Sequence, residues 1–238
     1  MALLCAVFPS IENSPAFSKL VESYPDALKT IFGLSGDFTT GAGYLDAELF
    51  SLMLPLLAIV LAIGSAARSL AGEEEAGRLE LVLAYPVRRR NVVIGKAVAV
   101  AVEVGCFCAA ALIALAVLDR VVGLDLPGGR LVAGVAAVGV VAVFYGWLAL
   151  AVSALAPSRA LTIGVPAAAA AGGYLIGGLH ELASWLDPFR FLSPLWWVGQ
   201  APLRNGVDSL GALVVTAAAL AWLVAAALLF ERRDLRTP

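Results

Sequence analysis

The chain has 238 residues, of which 61% are apolar and 14% charged, with a formal net charge of −2. That balance lies far outside the globular range and excludes a water-soluble domain. The small negative charge carries little information for a chain mostly in lipid, and no nucleic-acid partner is expected.

The first apolar stretch, Ala2–Phe8, is too short to cross a bilayer. It lacks the basic start and long apolar run of a signal peptide, and Leu4 stands before Cys5 where a lipoprotein needs a small residue. We expect Ala2–Phe8 to be the outer end of a first spanning helix that begins upstream, giving six spans. The alternative is a five-span protein with a short exposed stub. Residues 9–49 then form an outer segment. An amphipathic helix is expected over Phe17–Phe32 (Phe17, Leu20, Val21, Tyr24, Leu28, Ile31), then loop at Asp37 and Thr39–Gly43, with Tyr44–Glu48 leading into the next span.

Five stretches reach the ~20 residues that cross the hydrocarbon core. They are Phe50–Ala67, Ala97–Leu118, Leu131–Ser158, Ala160–Leu179 and Leu210–Phe230. Their Leu, Ala and Val content without strict alternation predicts helices, since backbone polar groups in lipid must be satisfied internally. The fold class is therefore all-α, a polytopic membrane helix bundle forming one transmembrane domain over residues 1–238. Pro55 and Pro166 are expected to kink their spans.

Between the first two complete spans lies GEEEAGRLELVLAYPVRRRNVVIGK, the core of a polar loop over residues 68–96. Arg68, Arg78, Arg88, Arg89, Arg90 and Lys96 make it the most basic part of the chain, and such loops stay in the cytoplasm. With Arg159, Arg232, Arg233 and Arg236, the cytoplasmic side holds ten basic residues. The opposite side holds six: Lys19, Lys29, Arg120, Arg130, Arg190 and Arg204. The expected C-terminus is cytoplasmic, in the inner membrane. Glu73, Glu74 and Glu75 are expected to start a loop helix, where acids favour the positive end of the dipole. Ala76, Leu79, Val82 and Leu83 give it an apolar stripe, Pro86 stops it, and Asn91 is placed to cap the next span. Two readings stay open on these residues alone. The helix covers the bundle mouth, with Arg88–Arg90 as a topology anchor at the headgroups, or it docks a soluble partner.

Within the spans, Glu103 is a formal charge about two helical turns from Lys96, a candidate for gating or a cationic substrate. The bland reading is a carboxyl near the inner interface. Cys5, Cys106 and Cys108 show no CxxC spacing and read as packing residues. Gly173 and Gly177, flanked by Gly172 and Gly178, permit close helix approach, between subunits or within one. The outer segment 180–209 is rich in Trp185, Phe189, Phe191, Trp196 and Trp197, which predicts short helices at the headgroup level. Gly33-Leu34-Ser35-Gly36 with His180 spells a minimal protease pattern, but Ser35 lies in a polar loop with no helix to hold it at membrane depth. A self-contained ion-coupled carrier built on Glu103 is the other rival reading.

The run from Glu73 to Lys96 follows E-x-x-x-G-x-L-E-x-x-L-x-x-P-V-x-R-x-x-V-x-x-G-K, carried by Glu73, Gly77, Leu79, Glu80, Leu83, Pro86, Val87, Arg89, Val92, Gly95 and Lys96. It resembles the first cytoplasmic loop of type-2 ABC transporter permeases, with Arg78 where the family usually has Thr. Gly43-Tyr44-Leu45 to Leu54 is similar to that family's approach to its second span. The resemblance implies a permease half that pairs with a second permease subunit, above cytoplasmic ATPase subunits. It implies that the loop acts as a coupling helix, with Glu73, Glu74, Glu75, Gly77, Arg78, Leu79, Glu80, Leu83, Pro86, Arg88, Arg89 and Lys96 at the ATPase contact. The chain has no P-loop, since Gly95-Lys96 is followed by Ala97 and lacks the upstream glycine. It is expected to bind no cofactor and not to be an enzyme; ATP and Mg belong to the ATPase. The implied function is export of a hydrophobic or amphipathic compound such as a drug, antibiotic or lipid.

Overall fold

The computed structural model of the protein describes residues 40–77, 88–124, 126–156, 158–179 and 185–232. Among the described residues, five helices are long and apolar enough to cross a membrane: α1 (Gly41–Glu75), α2 (Arg89–Val122), α3 (Gly128–Leu155), α4 (Arg159–Leu179) and α7 (Ser209–Arg232). Between α4 and α7 stand a 3₁₀ turn (Asp187–Leu192) and two short helices, α5 (Pro194–Val198) and α6 (Pro202–Asn205). No strand occurs among the described residues. The chain is a polytopic membrane helix bundle.

Alternating helix directions give the bundle two unlike ends. Among the described residues, Arg68, Arg88, Arg89, Arg90, Lys96, Arg159 and Arg232 belong to one end, called here the basic end. Arg120, Arg130, Arg190 and Arg204 belong to the other, with the aromatic segment. In that segment Phe191, Trp196 and Trp197 pack edge-on or tilted, and the Arg190 guanidinium lies 5.0 Å from the Phe191 and Trp196 ring centres.

Helix α3 is the hub: α1, α2, α4 and α7 all pack on it, while α2, α4 and α7 leave much of their surface outside the bundle. Small residues make this possible. A Cβ on Gly146 would sit 2.8 Å from Val100 Cγ1 and 3.1 Å from the Ala62 Cβ, so α1, α2 and α3 meet at the bare backbone. The indole of Trp147 then donates to the Ala97 carbonyl at 3.1 Å, locking α3 to α2. Gly173 and Gly177 serve packing within the subunit. Cβ atoms there would lie 2.9 Å from the Tyr145 hydroxyl and from Ser193 Oγ respectively. We predict that Gly146→Val lowers stability by about 1–3 kcal/mol, as overpacking does. Gly105→Val, at a helix position with open space around it, should leave the detergent melting midpoint unchanged. Equal midpoints for the two variants would refute this account of α3.

Two expectations change, the start of α1 and the capping of α2. Helix α1 begins at Gly41, not after a loop through Gly43, because Thr40 Oγ1 accepts from the Gly43 amide at 3.1 Å and starts the helix. The glycine at 41 reflects packing: a Cβ there would stand 2.5 Å from the Leu124 carbonyl oxygen. Pro55 follows a π-helical stretch, Asp46–Met53, which takes up the hydrogen-bond mismatch before the proline. Pro166 lies inside α4 (Arg159–Leu179). Asn91 does not cap α2; it lies within the first turn, its amide bonded to the Arg88 carbonyl at 2.9 Å.

Candidate functional site

At the basic end, α1 continues past Leu70 as a last turn, Ala71–Glu75, and stops where Gly77 takes the left-handed conformation (φ 68°). Glu73 and Glu74 stand in the first turn of Ala71–Glu75 and Glu75 closes it, ahead of Gly77, while the expected continuation through Leu79, Val82 and Leu83 lies outside the described residues. Two of these carboxylates reach neighbouring spans. Glu73 Oε1 meets Lys96 Nζ of α2 at 2.5 Å, with both side chains about three-quarters buried (26% and 22% exposed). Glu75 Oε1 accepts from the backbone N–H of Arg159 at 3.0 Å, capping α4 from another helix at its positive end. One turn of α1 thus fastens the basic ends of α2 and α4.

Of the loop residues expected at the partner contact, Glu73, Glu74, Glu75, Gly77, Arg88, Arg89 and Lys96 flank this junction. Arg88 and Arg90 are exposed, and Arg88 stands extended immediately before α2. Arg78, Leu79, Glu80, Leu83 and Pro86 lie outside the described residues, as do Val82, Ser35, His180, Cys5 and the expected helix Phe17–Phe32. Glu103 is not part of the junction. It lies on the exposed face of α2 and makes no hydrogen bond or ion pair among the described residues. Cys106 is exposed and Cys108 half-buried, both as free thiols. No group of three potential metal ligands occurs among the described residues.

A second polar cluster, not singled out in the sequence, sits at the opposite end. Asp46 is 3% exposed, and its two carboxylate oxygens accept from the Leu203 and Arg204 amides, each at 3.0 Å. Arg130, at the start of α3, donates to the carbonyls of the same two residues at 3.2 and 2.5 Å. The one available sequence signal was an acidic residue shortly before an apolar run; its partners are 157 and 158 positions away.

The bundle of membrane-spanning helices agrees with what comparison with known proteins shows. The sequence model described as "ABC-2 family transporter protein" matches residues 3–235. The "Probable ABC transporter permease protein NosY" of Stutzerimonas stutzeri is 40% identical over 77 residues, 30% of this chain. The match spans 26% of that relative's length, so it bears on a local stretch alone. The family match covers nearly the whole chain, and the chain belongs to the ABC-2 transporter family as a multi-pass membrane permease subunit.

Proposed function

We propose that this permease subunit exports a hydrophobic or amphipathic compound, driven by a separate cytoplasmic ATPase that docks at the basic end. The observation that carries the coupling is the junction itself. The turn Ala71–Glu75 leads directly into the loop and is tied to α2 through Glu73–Lys96 and to α4 through Glu75–Arg159. A push on the loop would reach three spans through discrete polar contacts, which is how packed bundles switch. The excess of basic residues at this end supports a cytoplasmic placement in the inner membrane, with the C-terminus on the same side. A second permease subunit, identical or paired, completes the translocation path. Apolar spans with few polar interior groups favour an amphipathic cargo over sugars or ions.

The test is co-expression with a candidate ABC ATPase. A stable complex with vanadate-sensitive ATP hydrolysis is expected, with both lost when the loop from Glu73 to Arg90 is replaced by a flexible linker. A permease that purifies alone and leaves hydrolysis unaltered would overturn the reading.

A further inference from the structure

Helix α6 is four residues long, far below the length at which a helix is stable in isolation. It is flanked by left-handed backbone on both sides: Gly199 (φ 89°) and Ala201 (φ 55°) before it, Gly206 (φ 83°) after it. Alanine rarely adopts this conformation, so its surroundings impose it. What holds α6 is charge. Asp46 on α1 takes both amides of Leu203 and Arg204, with Arg204 Nε 3.5 Å from Oδ2, and Arg130 on α3 takes both carbonyls. The anion meets the N–H groups and the cation meets the C=O groups, the arrangement a peptide dipole favours. Pro202 seats the helix on Gly134, where a Cβ would stand 3.1 Å from the proline ring.

Beneath α6 is a cavity of about 160 Å³ between α1, α3 and α4, lined among others by Phe50, Val138, Tyr174, Gln200 and Pro202. Close-packed interiors move between discrete arrangements, and a void of this size gives the segment above it room to shift. On the α1 side, the residue that grips α6 also opens the π-helical stretch Asp46–Met53. Such stretches occur frequently at functional sites, and a return to α geometry would rotate whatever precedes them.

We propose that α6 is a displaceable lid over this cavity, held closed by Asp46 and Arg130 and freed when α1 and α3 move apart. The lid is a property of the permease chain alone. Its test therefore needs no ATPase and does not depend on which side of the membrane faces outward.

Hydrogen exchange measured by mass spectrometry on the permease in lipid nanodiscs reads the lid directly. In the unaltered chain the amides of Leu203 and Arg204 should be protected. Arg130→Gln leaves the acceptors of those amides on Asp46 in place, yet should speed their exchange about tenfold, the factor expected when a hydrogen bond to a charged group is lost. Exchange within α3 over residues 141–150 should not change. A second readout uses Leu203→Cys in a chain whose Cys5, Cys106 and Cys108 are replaced by Ala. Leu203 is 1% exposed, so the thiol should react slowly with a polar maleimide, and Asp46→Asn should accelerate it by a similar factor. Unchanged exchange in Arg130→Gln with unchanged labelling in Asp46→Asn would show a fixed cap and overturn the lid. Acceleration that spreads equally through α3 would show loss of fold and overturn it too.

Discussion

A chain carrying both Leu79→Asp and Leu83→Asp is expected to insert and fold, yet to lose its hold on the ATPase. The two leucines lie four residues apart in the loop, on the same face if it is helical, and follow the acidic turn that fastens α1 to α2 and α4. In a docked complex, a carboxylate in place of a buried leucine loses the apolar contact and must also be desolvated. Truncation of a central interface residue alone costs about 2 kcal/mol or more. Two such changes imply about 4 kcal/mol, roughly a thousandfold in affinity. Insertion should survive, because the double change touches no span. Co-purification and vanadate-sensitive hydrolysis are the readouts, with expression and the melting midpoint as controls. Normal hydrolysis in the double variant would reduce the loop to a cover over the bundle.

The spans were readable because length and apolarity are local properties: each of the five expected stretches lies largely or wholly within an observed helix. Their ends were less legible, because ends are set by contacts. Gly41 and Gly43 carry the signature of a loop, but Gly41 is there because the Leu124 backbone passes against it. The three glutamates were associated with a helix's positive end; Glu73 and Glu74 do stand in the first turn of Ala71–Glu75, but Glu75 also serves a second helix that its sequence neighbourhood does not announce. Glu75 caps α4, whose first residue is 84 positions away. The glycines at 173 and 177 left a choice between a subunit seam and internal packing, and the nearby Tyr145 and Ser193 place both within one subunit. Asp46 gave the least warning. A buried carboxylate looks costly until its donors are known, and these are backbone amides that no side-chain pattern announces.

The second large effect concerns the ion pair between Glu73 and Lys96. Lys96→Glu would set a carboxylate against Glu73 at a site only about a quarter exposed, with Glu74 and Glu75 adjoining in sequence. Exposed pairs contribute about 0–1 kcal/mol and breaking a buried one costs about 3–5 kcal/mol, so a loss of roughly 2 kcal/mol is expected here. In a domain of this size that corresponds to a drop of roughly 4–8 °C in the melting midpoint. The loop should then move without carrying α2, so stimulation of the ATPase should fall about tenfold or more at unchanged complex yield. The reciprocal double variant, Glu73→Lys with Lys96→Glu, rebuilds the pair with its polarity reversed and should recover both midpoint and stimulation. Recovery of the midpoint without recovery of stimulation would mean that the pair holds the fold but does not transmit. A Lys96→Glu variant indistinguishable from the parent in both measurements would remove the pair from the coupling route altogether.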